Sequence, residues 1–500
     1  MRRRGSEIAA GGKQRIMPIR VPSFMSDNMV MQQGMAAALW GWAEVGETIT
    51  VSLGNQTASC QAGGDGKWLV RLEAMEAGGP YEMSISGAKG GMEIENVAVG
   101  EVWLASGQSN MQWVVADCYD AESEIAASDY PMIREFTAER ISRSEPQEDV
   151  NGEWQGAGPE SVGQFSAVGY YFARHLHKEL GVPVGILNSS WGGSMCKTWV
   201  RREDLEADVD FAAYAENVAQ AIEDYPALQQ EAEKLLADHY VMREKALAEG
   251  TALPAWPELP GGYPTRAATG LYNGMLHPLV PYTMRGAIWY QGESDARSDM
   301  VGTYRKLCAT MVTGWRQAWG QGDFPFLFVQ LANYNAENYW PLLREAQLQM
   351  LSLRNTGMAV AIDVGDAEDI HPKNKQAVGY RLGLAARALA YGEELAHSGP
   401  IYREMRVAES RARLSFEHTG GGLVSKRNEA LTGFVVAGDD GVFVVAEAEI
   451  DGDEVVVWSE QVARPVAVRY GWANNPDCSL YNAEGLPASP FRTDDWEPEQ

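Results

Sequence analysis

Short, nearly continuous apolar runs recur through the middle of the chain, and this feature constrains the fold more than any other. The runs are "VWLAS", "VGILNSS", "GAIWYQG", "FLFVQLA" and "MAVAIDVG", and helical patterns such as "VGYYFARHLHKELG" lie between them. Continuous apolar runs of this length are typical of parallel strands that are buried on both faces. The alternation of strand and helix predicts a three-layer α/β domain over residues 100–397.

The two ends of the chain have a different pattern. Residues 19–99 contain runs with apolar residues at alternate positions, such as "TITVSL" and "WLVRL". Turns rich in Gly, Asn and Asp separate these runs, and the pattern predicts an accessory β-sandwich. Similar runs, including "EVVVWS", predict a β-rich C-terminal domain over residues 398–495. We expect residues 1–18 to be disordered or extended.

The acidic segment 203–265 interrupts the alternation of strands and helices. Its first part is strongly helical, and its end, "ALPAWPELPGGYPT", is rich in Pro and Gly. We interpret the segment as a helical insertion in the central domain. It is either a flap beside a functional site or a peripheral hairpin with no role in binding.

Charge and cysteine content narrow the range of partners and cofactors. The formal net charge of −27 disfavours binding to nucleic acid or to anionic membranes. The five cysteines are widely spaced and form no CxxC motif, which argues against a disulfide framework and against a zinc site. No apolar run resembles a signal peptide or a membrane span. These observations predict a cytoplasmic protein without a metal or other cofactor, and a homo-oligomer is compatible with them.

Ser109 lies where the predicted strand "EVWLA" gives way to a helix, and ligands bind at such carboxyl ends of parallel strands. The residue could cap the following helix, which is the commonest role of serine at this position. It could instead be a nucleophile, since free N–H groups at the helix start would stabilise a developing oxyanion. The local sequence alone favours the cap.

A serine nucleophile needs a base, and His371 is the best candidate among the seven histidines. It follows the predicted strand "MAVAID" in the loop "VGDAEDIHPKNK", again at the carboxyl end of a strand. Asp366, Glu368 and Asp369 precede it in the same loop. A carboxylate so close in sequence could orient the imidazole ring.

Polar residues follow two further strands. Gly192 and Gly193 come after "ILNSSW", where backbone amides could approach a ligand closely. Gln291, Gly292 and Glu293 come directly after "GAIWY", and buried polar groups in such a place need partners. The absence of GxSxG disfavours an ordinary α/β-hydrolase, and no HExxH, P-loop or GxGxxG motif supports a metal or nucleotide mechanism.

Four segments together resemble the sialate O-acetylesterase-like carbohydrate esterases of the SGNH-hydrolase superfamily. They are "GEVWLASGQSNMQ", "NSSWGGS", "LYNGMLHPLV…GAIWYQGES" and "IHPKNKQAVGYRL". The resemblance runs in order from about Ile19 to Thr493. It implies a flavodoxin-like α/β/α catalytic domain with β-sandwich segments at both ends.

The resemblance also implies roles for individual residues. Ser109 matches the family's nucleophile, and His371 matches its base. Gly193 or Gly192, together with the Gln291 side chain, match the donors of the oxyanion hole, joined by the Ser109 amide. The expected substrate contacts are Gln108, Asn110, Trp191 and Glu293, and Trp113 is one of several aromatic residues that could form a sugar platform.

The sequence offers three alternatives for the group that orients the His371 ring. The superfamily typically has an aspartate three residues before the histidine. Here Glu368 has that spacing, whereas Asp369 has the expected side chain. A Ser–His dyad that is oriented by a backbone carbonyl is a third alternative.

The activity implied by the resemblance is removal of acetyl groups from O-acetylated sugars through an acetyl-enzyme on Ser109. The expected partner is therefore an acetylated mono- or oligosaccharide. Acetylated sialic acids and acetylated xylan or xyloglucan oligosaccharides are both compatible with the sequence. The alternative is a non-catalytic carbohydrate-binding protein on an esterase scaffold, which the retention of Ser109 and His371 disfavours.

Overall fold

The N-terminal part of the chain forms a β domain. The computed structural model describes residues 19–496 apart from 250, 252–253, 255–266, 298–299, 336–338 and 427–428, so the prediction for residues 1–18 lies outside the described residues. The first strands are β1 (Val30–Gln32), β2 (Ala37–Trp42), β3 (Thr48–Leu53), β4 (Gln56–Gln61), β5 (Lys67–Leu72), β6 (Gly78–Gly87) and β7 (Gly90–Gly107). Strand β3 pairs with β4 and β6, while β2 pairs with β5.

Strand β7 connects this β domain to the centre of the protein. Its first part pairs with β6 and is mostly exposed, and from Val97 onward it is buried throughout. Gly100 allows a close approach here, because a Cβ at this position would lie 2.1 Å from the Pro183 carbonyl oxygen. The predicted domain boundary between residues 99 and 100 therefore falls inside one continuous strand. The change of pattern at this point reflects a change of burial along the strand.

The centre of the protein is a largely parallel sheet. Its further strands are β8 (Tyr130–Thr137), β9 (Trp154–Ala157), β10 (Val184–Ser190), β11 (Gly286–Tyr290), β12 (Phe326–Gln330) and β13 (Thr356–Val360). The order is β13-β12-β11-β7-β10-β8-β9, and only the pair β8–β9 is antiparallel. Strands β10, β11 and β12 are buried along their whole length, as their continuous apolar runs predict.

Helices cover both faces of the sheet. The described α-helices are α1 (Ser109–Gln112), α2 (Ala121–Ala126), α3 (Ala167–Leu180), α4 (Arg202–Glu206), α5 (Ala212–Glu249), α6 (Val301–Trp319), α7 (Trp340–Gln349) and α8 (Lys375–Tyr391). Trp103 of β7 packs on Phe172 of α3, whereas Trp289 of β11 packs on Trp315 of α6. Because Trp103 lies opposite Gly286, Trp289 points to the other face. The predicted three-layer α/β/α arrangement is confirmed.

The acidic segment 203–265 is mainly helical where the structure describes it. Helices α4 and α5 account for its first part, and α5 runs through Pro226. Most of the Pro- and Gly-rich end of the segment lies outside the described residues.

The C-terminal part of the chain forms three small antiparallel sheets. Their strands are β14 (Ile401–Ala408), β15 (Arg411–Glu417), β16 (Leu423–Ser425), β17 (Phe434–Ala437), β18 (Phe443–Val445), β19 (Glu447–Asp451), β20 (Glu454–Trp458), β21 (Ala467–Tyr470), β22 (Leu480–Asn482) and β23 (Phe491–Arg492). The buried guanidinium of Arg344 in α7 donates to the carbonyls of Ala473 and Asn474, which fixes this part to the central domain.

The carboxyl ends of β7, β10, β11 and β13 lie at one edge of the central sheet, because these strands are parallel. The segments that follow them contain Ser109, Gly192, Gln291 and His371. The fold therefore brings together the polar clusters that follow these strands. None of the described helices is both long enough and apolar enough to cross a membrane.

Candidate active site

Ser109 and His371 form a hydrogen-bonded pair at this edge. The Oγ atom of Ser109 lies 2.9 Å from Nε2 of His371. Gln108 holds the N-cap position of α1 and Ser109 is the first residue of the helix, so Ser109 is not the helix cap. A serine hydroxyl bonded to an imidazole nitrogen is the geometry that nucleophilic catalysis requires.

A close approach between two strands positions Ser109. Gly107, the last residue of β7, has φ +136°, and a Cβ there would lie 2.2 Å from the Tyr290 carbonyl oxygen. The N–H of Gln108 then donates to the same carbonyl at 3.0 Å. Only glycine fits this position, and the tight turn that it allows places the hydroxyl above the sheet edge.

Asp369 is the carboxylate that lies beside His371. Its Oδ1 accepts a hydrogen bond from the backbone N–H of His371 at 2.8 Å and lies 3.6 Å from the Nδ1 atom of the ring. The latter distance is too long for a hydrogen bond. Glu368 is exposed, and its carboxylate accepts instead from the Asn335 side chain at 3.2 Å. The structure therefore does not support Glu368 as the orienting acid, although Glu368 has the spacing expected for the superfamily.

Trp113 contributes a contact that the sequence did not reveal. Its indole stacks on the His371 ring, with 4.9 Å between ring centroids and 16° between planes. The indole N–H donates to the Asp117 carbonyl at 3.1 Å, which fixes the orientation of the indole. The only sequence signal for this contact is the spacing, because a residue four positions after Ser109 on a helical turn returns to the same side.

The environment of His371 keeps the imidazole neutral. Burial lowers the pKa of His371, the negative charge of Asp369 raises it, and the positive charge of Lys375 lowers it further. The net shift is downward, so the ring is unprotonated at neutral pH. A neutral imidazole bonded to a hydroxyl can act as a general base.

The segment after β10 offers a backbone donor beside Ser109. The N–H of Gly192 already donates to the Gln112 side chain at 2.7 Å. Gly193 has φ +73°, and among the described residues neither its N–H nor that of Ser109 has an acceptor. A Cβ added to Gly192 would lie 3.3 Å from the Cβ of Ser109, so this segment packs against Ser109. Of the two glycines, Gly193 is the one with a free N–H.

The predicted oxyanion role of the Gln291 side chain does not fit the structure. The residue is fully buried, and its NH₂ group donates to Asp295 Oδ2, to the Ser194 carbonyl and to Gln108 Oε1. Asp295 also accepts from the Cys196 N–H at 3.0 Å. Because both amide protons are used within the protein, Gln291 holds the 191–196 segment in place and is not free to bind an oxyanion.

The substrate-binding role predicted for Gln108, Asn110 and Glu293 needs a similar correction. All three are buried, with 3%, 1% and 7% exposure respectively. Gln108 Oε1 accepts from the backbone N–H groups of Gly292 and Ser294, both at 3.3 Å. Asn110 donates to Glu293 at 2.6 Å, so these side chains bond within the protein. The sequence marked them as polar but could not show that they face inward.

Trp191 lies at the start of the segment that contains Gly193. It is half-buried against the core, and its backbone N–H donates to the Gly107 carbonyl at 3.0 Å. Of the four predicted substrate contacts it is the one whose position fits that role. Nowhere in the described part of the chain do three or more His, Cys, Asp or Glu side chains cluster as a metal would require.

Comparison with known proteins places the chain in a family. A model of carbohydrate esterases described as sialic acid-specific acetylesterases matches residues 248–388. The sialate O-acetylesterase of Mus musculus is 32% identical over 524 residues, which cover 94% of each chain. The chain belongs to the sialate O-acetylesterase family. The Homo sapiens member is 28% identical, with 94% of this chain and 92% of that protein covered.

A solved structure of high similarity supports the same placement. It is the crystal structure of a carbohydrate acetylesterase from Xanthomonas citri, with a TM-score of 0.83 and 39% identity. The match covers 96% of this chain and 100% of that chain. The similarity to these proteins therefore includes the β domains as well as the central sheet. The chain is a carboxylic ester hydrolase.

Proposed function

We propose that this esterase removes acetyl groups from O-acetylated sugars, with Ser109 as the nucleophile and His371 as the base. The observation that carries the proposal is the 2.9 Å hydrogen bond between the Ser109 hydroxyl and the His371 imidazole. The names of the relatives support the choice of an acetylated sugar as the substrate, since they are sialate O-acetylesterases and a carbohydrate acetylesterase.

In the first step His371 accepts the Ser109 proton while Oγ attacks the acetyl carbonyl. The carbonyl oxygen becomes an oxyanion, and the backbone N–H groups of Ser109 and Gly193 are the donors proposed to bind it. The imidazolium that forms is stabilised by the negative charge of Asp369 and by the face of the Trp113 indole.

In the second step the imidazolium of His371 gives its proton to the departing sugar oxygen, and the acetyl group stays on Ser109. Water then attacks the acetyl-enzyme with His371 again as the base. The tetrahedral intermediate collapses to release acetate, and the proton returns to Ser109. No redox partner is consumed in this cycle.

The sugar itself would not contact the buried side chains of Gln108, Asn110 and Glu293. Trp191 is half-buried and adjoins Gly193, so we propose that its ring contacts the sugar. Acetylated sialic acids, and acetylated xylan or xyloglucan oligosaccharides, remain the two substrate classes to compare.

Acetate release from a panel of acetylated sugars tests the proposal. The panel contains acetylated sialic acids and acetylated xylo-, manno- and xyloglucan-oligosaccharides, and Ser109→Ala is assayed in parallel. We expect wild-type enzyme to release acetate from at least one class and Ser109→Ala to release none above background. Sugar binding without acetate release by the wild type would instead indicate a non-catalytic binding protein.

A further inference from the structure

Lys375, the first residue of α8, is a fully buried lysine beside Asn110, which follows Ser109 in the chain. It is 0% exposed, and its ammonium group donates to Oδ1 of Asn110. The same nitrogen lies 5.4 Å from the ring centroid of Tyr290 and 5.8 Å from that of Trp113. Lysine is almost never fully buried unless it is paired, so a buried ammonium here indicates a specific role for this side chain.

The bond from Lys375 fixes the orientation of the Asn110 amide. Because Oδ1 accepts from the lysine, the NH₂ group must point the other way. It donates to Glu293 Oε1 at 2.6 Å and to the Ile370 carbonyl at 3.0 Å. Ile370 directly precedes His371 in the chain. The Asn110 side chain therefore ties the helix that contains Ser109 to the loop that contains the base.

We propose that Lys375 is a positioning residue for the esterase reaction, and the proposal rests on the roles of Ser109 and His371 given above. Its ammonium holds the Asn110 amide in the orientation that binds the Ile370 carbonyl. This bond anchors the loop that contains His371, here called the histidine loop. Its positive charge also favours the neutral form of the His371 imidazole. Lys375 touches neither of the reacting side chains, so it acts through Asn110 and through its charge.

Several charged or titratable groups face this lysine from different elements. They are Cys118 after α1, Glu293 after β11 and Asp369 in the histidine loop. Burial lowers the pKa of Lys375 to about 7, and all three groups raise it. Burial also raises the pKa of Glu293, whose Oε2 has no partner among the described residues.

The charge of Lys375 acts on His371 in a direction that can be measured. It lowers the pKa of His371, while Asp369 raises it. Loss of the lysine charge would therefore raise the pKa of His371, and the acid limb of the pH–rate profile would move to higher pH. A lysine that only filled space in the core would give no such shift.

The test compares Lys375→Met with Lys373→Met, since Lys373 is an exposed lysine two residues before Lys375. We expect Lys375→Met to lower kcat on 4-nitrophenyl acetate about 10- to 100-fold, because a buried amide loses its charged partner. KM should change less than about twofold, and the acid limb should move to higher pH. Lys373→Met should match the wild type.

Two results would overturn the proposal. One is a Lys375→Met enzyme with wild-type kcat, and the other is a lowered kcat with an acid limb that does not move upward. If Lys375→Met does not fold, Asn110→Asp decides, because the carboxylate can still accept from Lys375 but cannot donate to Glu293 or Ile370. The proposal then predicts kcat about tenfold lower at unchanged KM, and wild-type kcat contradicts it.

The Ser109→Ala enzyme separates this inference from the proposed function. If Ser109→Ala keeps wild-type activity, the assignment of the nucleophile fails. If Ser109→Ala is inactive while Lys375→Met behaves as wild type, only the role of Lys375 fails.

Discussion

The indole of Trp113 stacks on the imidazole of His371, with ring centroids 4.9 Å apart. The nearest carboxylate, Asp369, is 3.6 Å from the ring nitrogen and does not form a hydrogen bond with it. The His371 ring therefore contacts an aromatic face and the Ser109 hydroxyl more closely than it contacts an acid. This arrangement leads to specific expectations for the two residues.

Replacing Trp113 should impair turnover more than binding. Aromatic stacking contributes about 1 kcal/mol beyond burial, so we expect Trp113→Leu to lower kcat roughly five- to tenfold, with little change in KM. Trp113→Phe keeps an aromatic face and should retain more of the activity. Steady-state kinetics on an acetylated sugar check this. A raised KM at unchanged kcat would show that Trp113 is a sugar platform instead.

The two acids before His371 should respond differently to neutralisation. We expect Asp369→Asn to lower kcat about tenfold or less, since partly exposed ion pairs are weak. Glu368→Gln, the matched control, should stay within about twofold of the wild type because its carboxylate faces Asn335. Rates on 4-nitrophenyl acetate decide between the two residues. A larger loss in Glu368→Gln than in Asp369→Asn would show that Glu368, which has the spacing typical of the superfamily, orients His371.

Activity should persist to mildly acidic pH. Protonation of His371 inactivates the base, and burial, the main cause, lowers the pKa of this ring below its ordinary value of about 6.5. The acid limb of kcat/KM should therefore have its midpoint below about pH 6.5. Asp369 raises this pKa, so Asp369→Asn should move the midpoint to still lower pH. A midpoint above the ordinary histidine value would contradict the account.

Gln291 should prove to be a structural residue. Gln291→Leu leaves Asp295 buried without its amide donor, and we expect an unfolding free energy lower by about 2 kcal/mol. Its kcat should fall together with stability as the segment containing Gly193 loosens. Thermal unfolding and kinetics measured on the same preparation test this. A loss of kcat of about 10²- to 10³-fold at wild-type stability would show an oxyanion donor.

The sequence was sufficient to predict the layers of the fold and the meeting of Ser109 with His371 at one edge of the sheet. Continuous apolar runs identified the buried parallel strands, and parallel strands bring their carboxyl ends to one edge. Ser109 and His371 lie 262 positions apart, yet their placement in the segments that follow such strands predicted that they would meet.

The direction of the neighbouring side chains could not be predicted in the same way. Gln108, Asn110 and Gln291 are polar residues near Ser109, and a sequence shows no difference between an amide that faces substrate and one that faces the core. The structure shows that all three face inward. The choice between Glu368 and Asp369 depended on local loop geometry, in which the backbone N–H of His371 turns Asp369 toward the ring.

The rate of 4-nitrophenyl acetate hydrolysis by Ser109→Ala, relative to wild type, tests the central claim most directly. The Ser109 hydroxyl is the only group assigned as nucleophile, so its removal should lower kcat at least about 10³-fold without unfolding the protein. A Ser109→Ala enzyme that keeps a rate within about tenfold of wild type would contradict the claim that Ser109 carries the acetyl group.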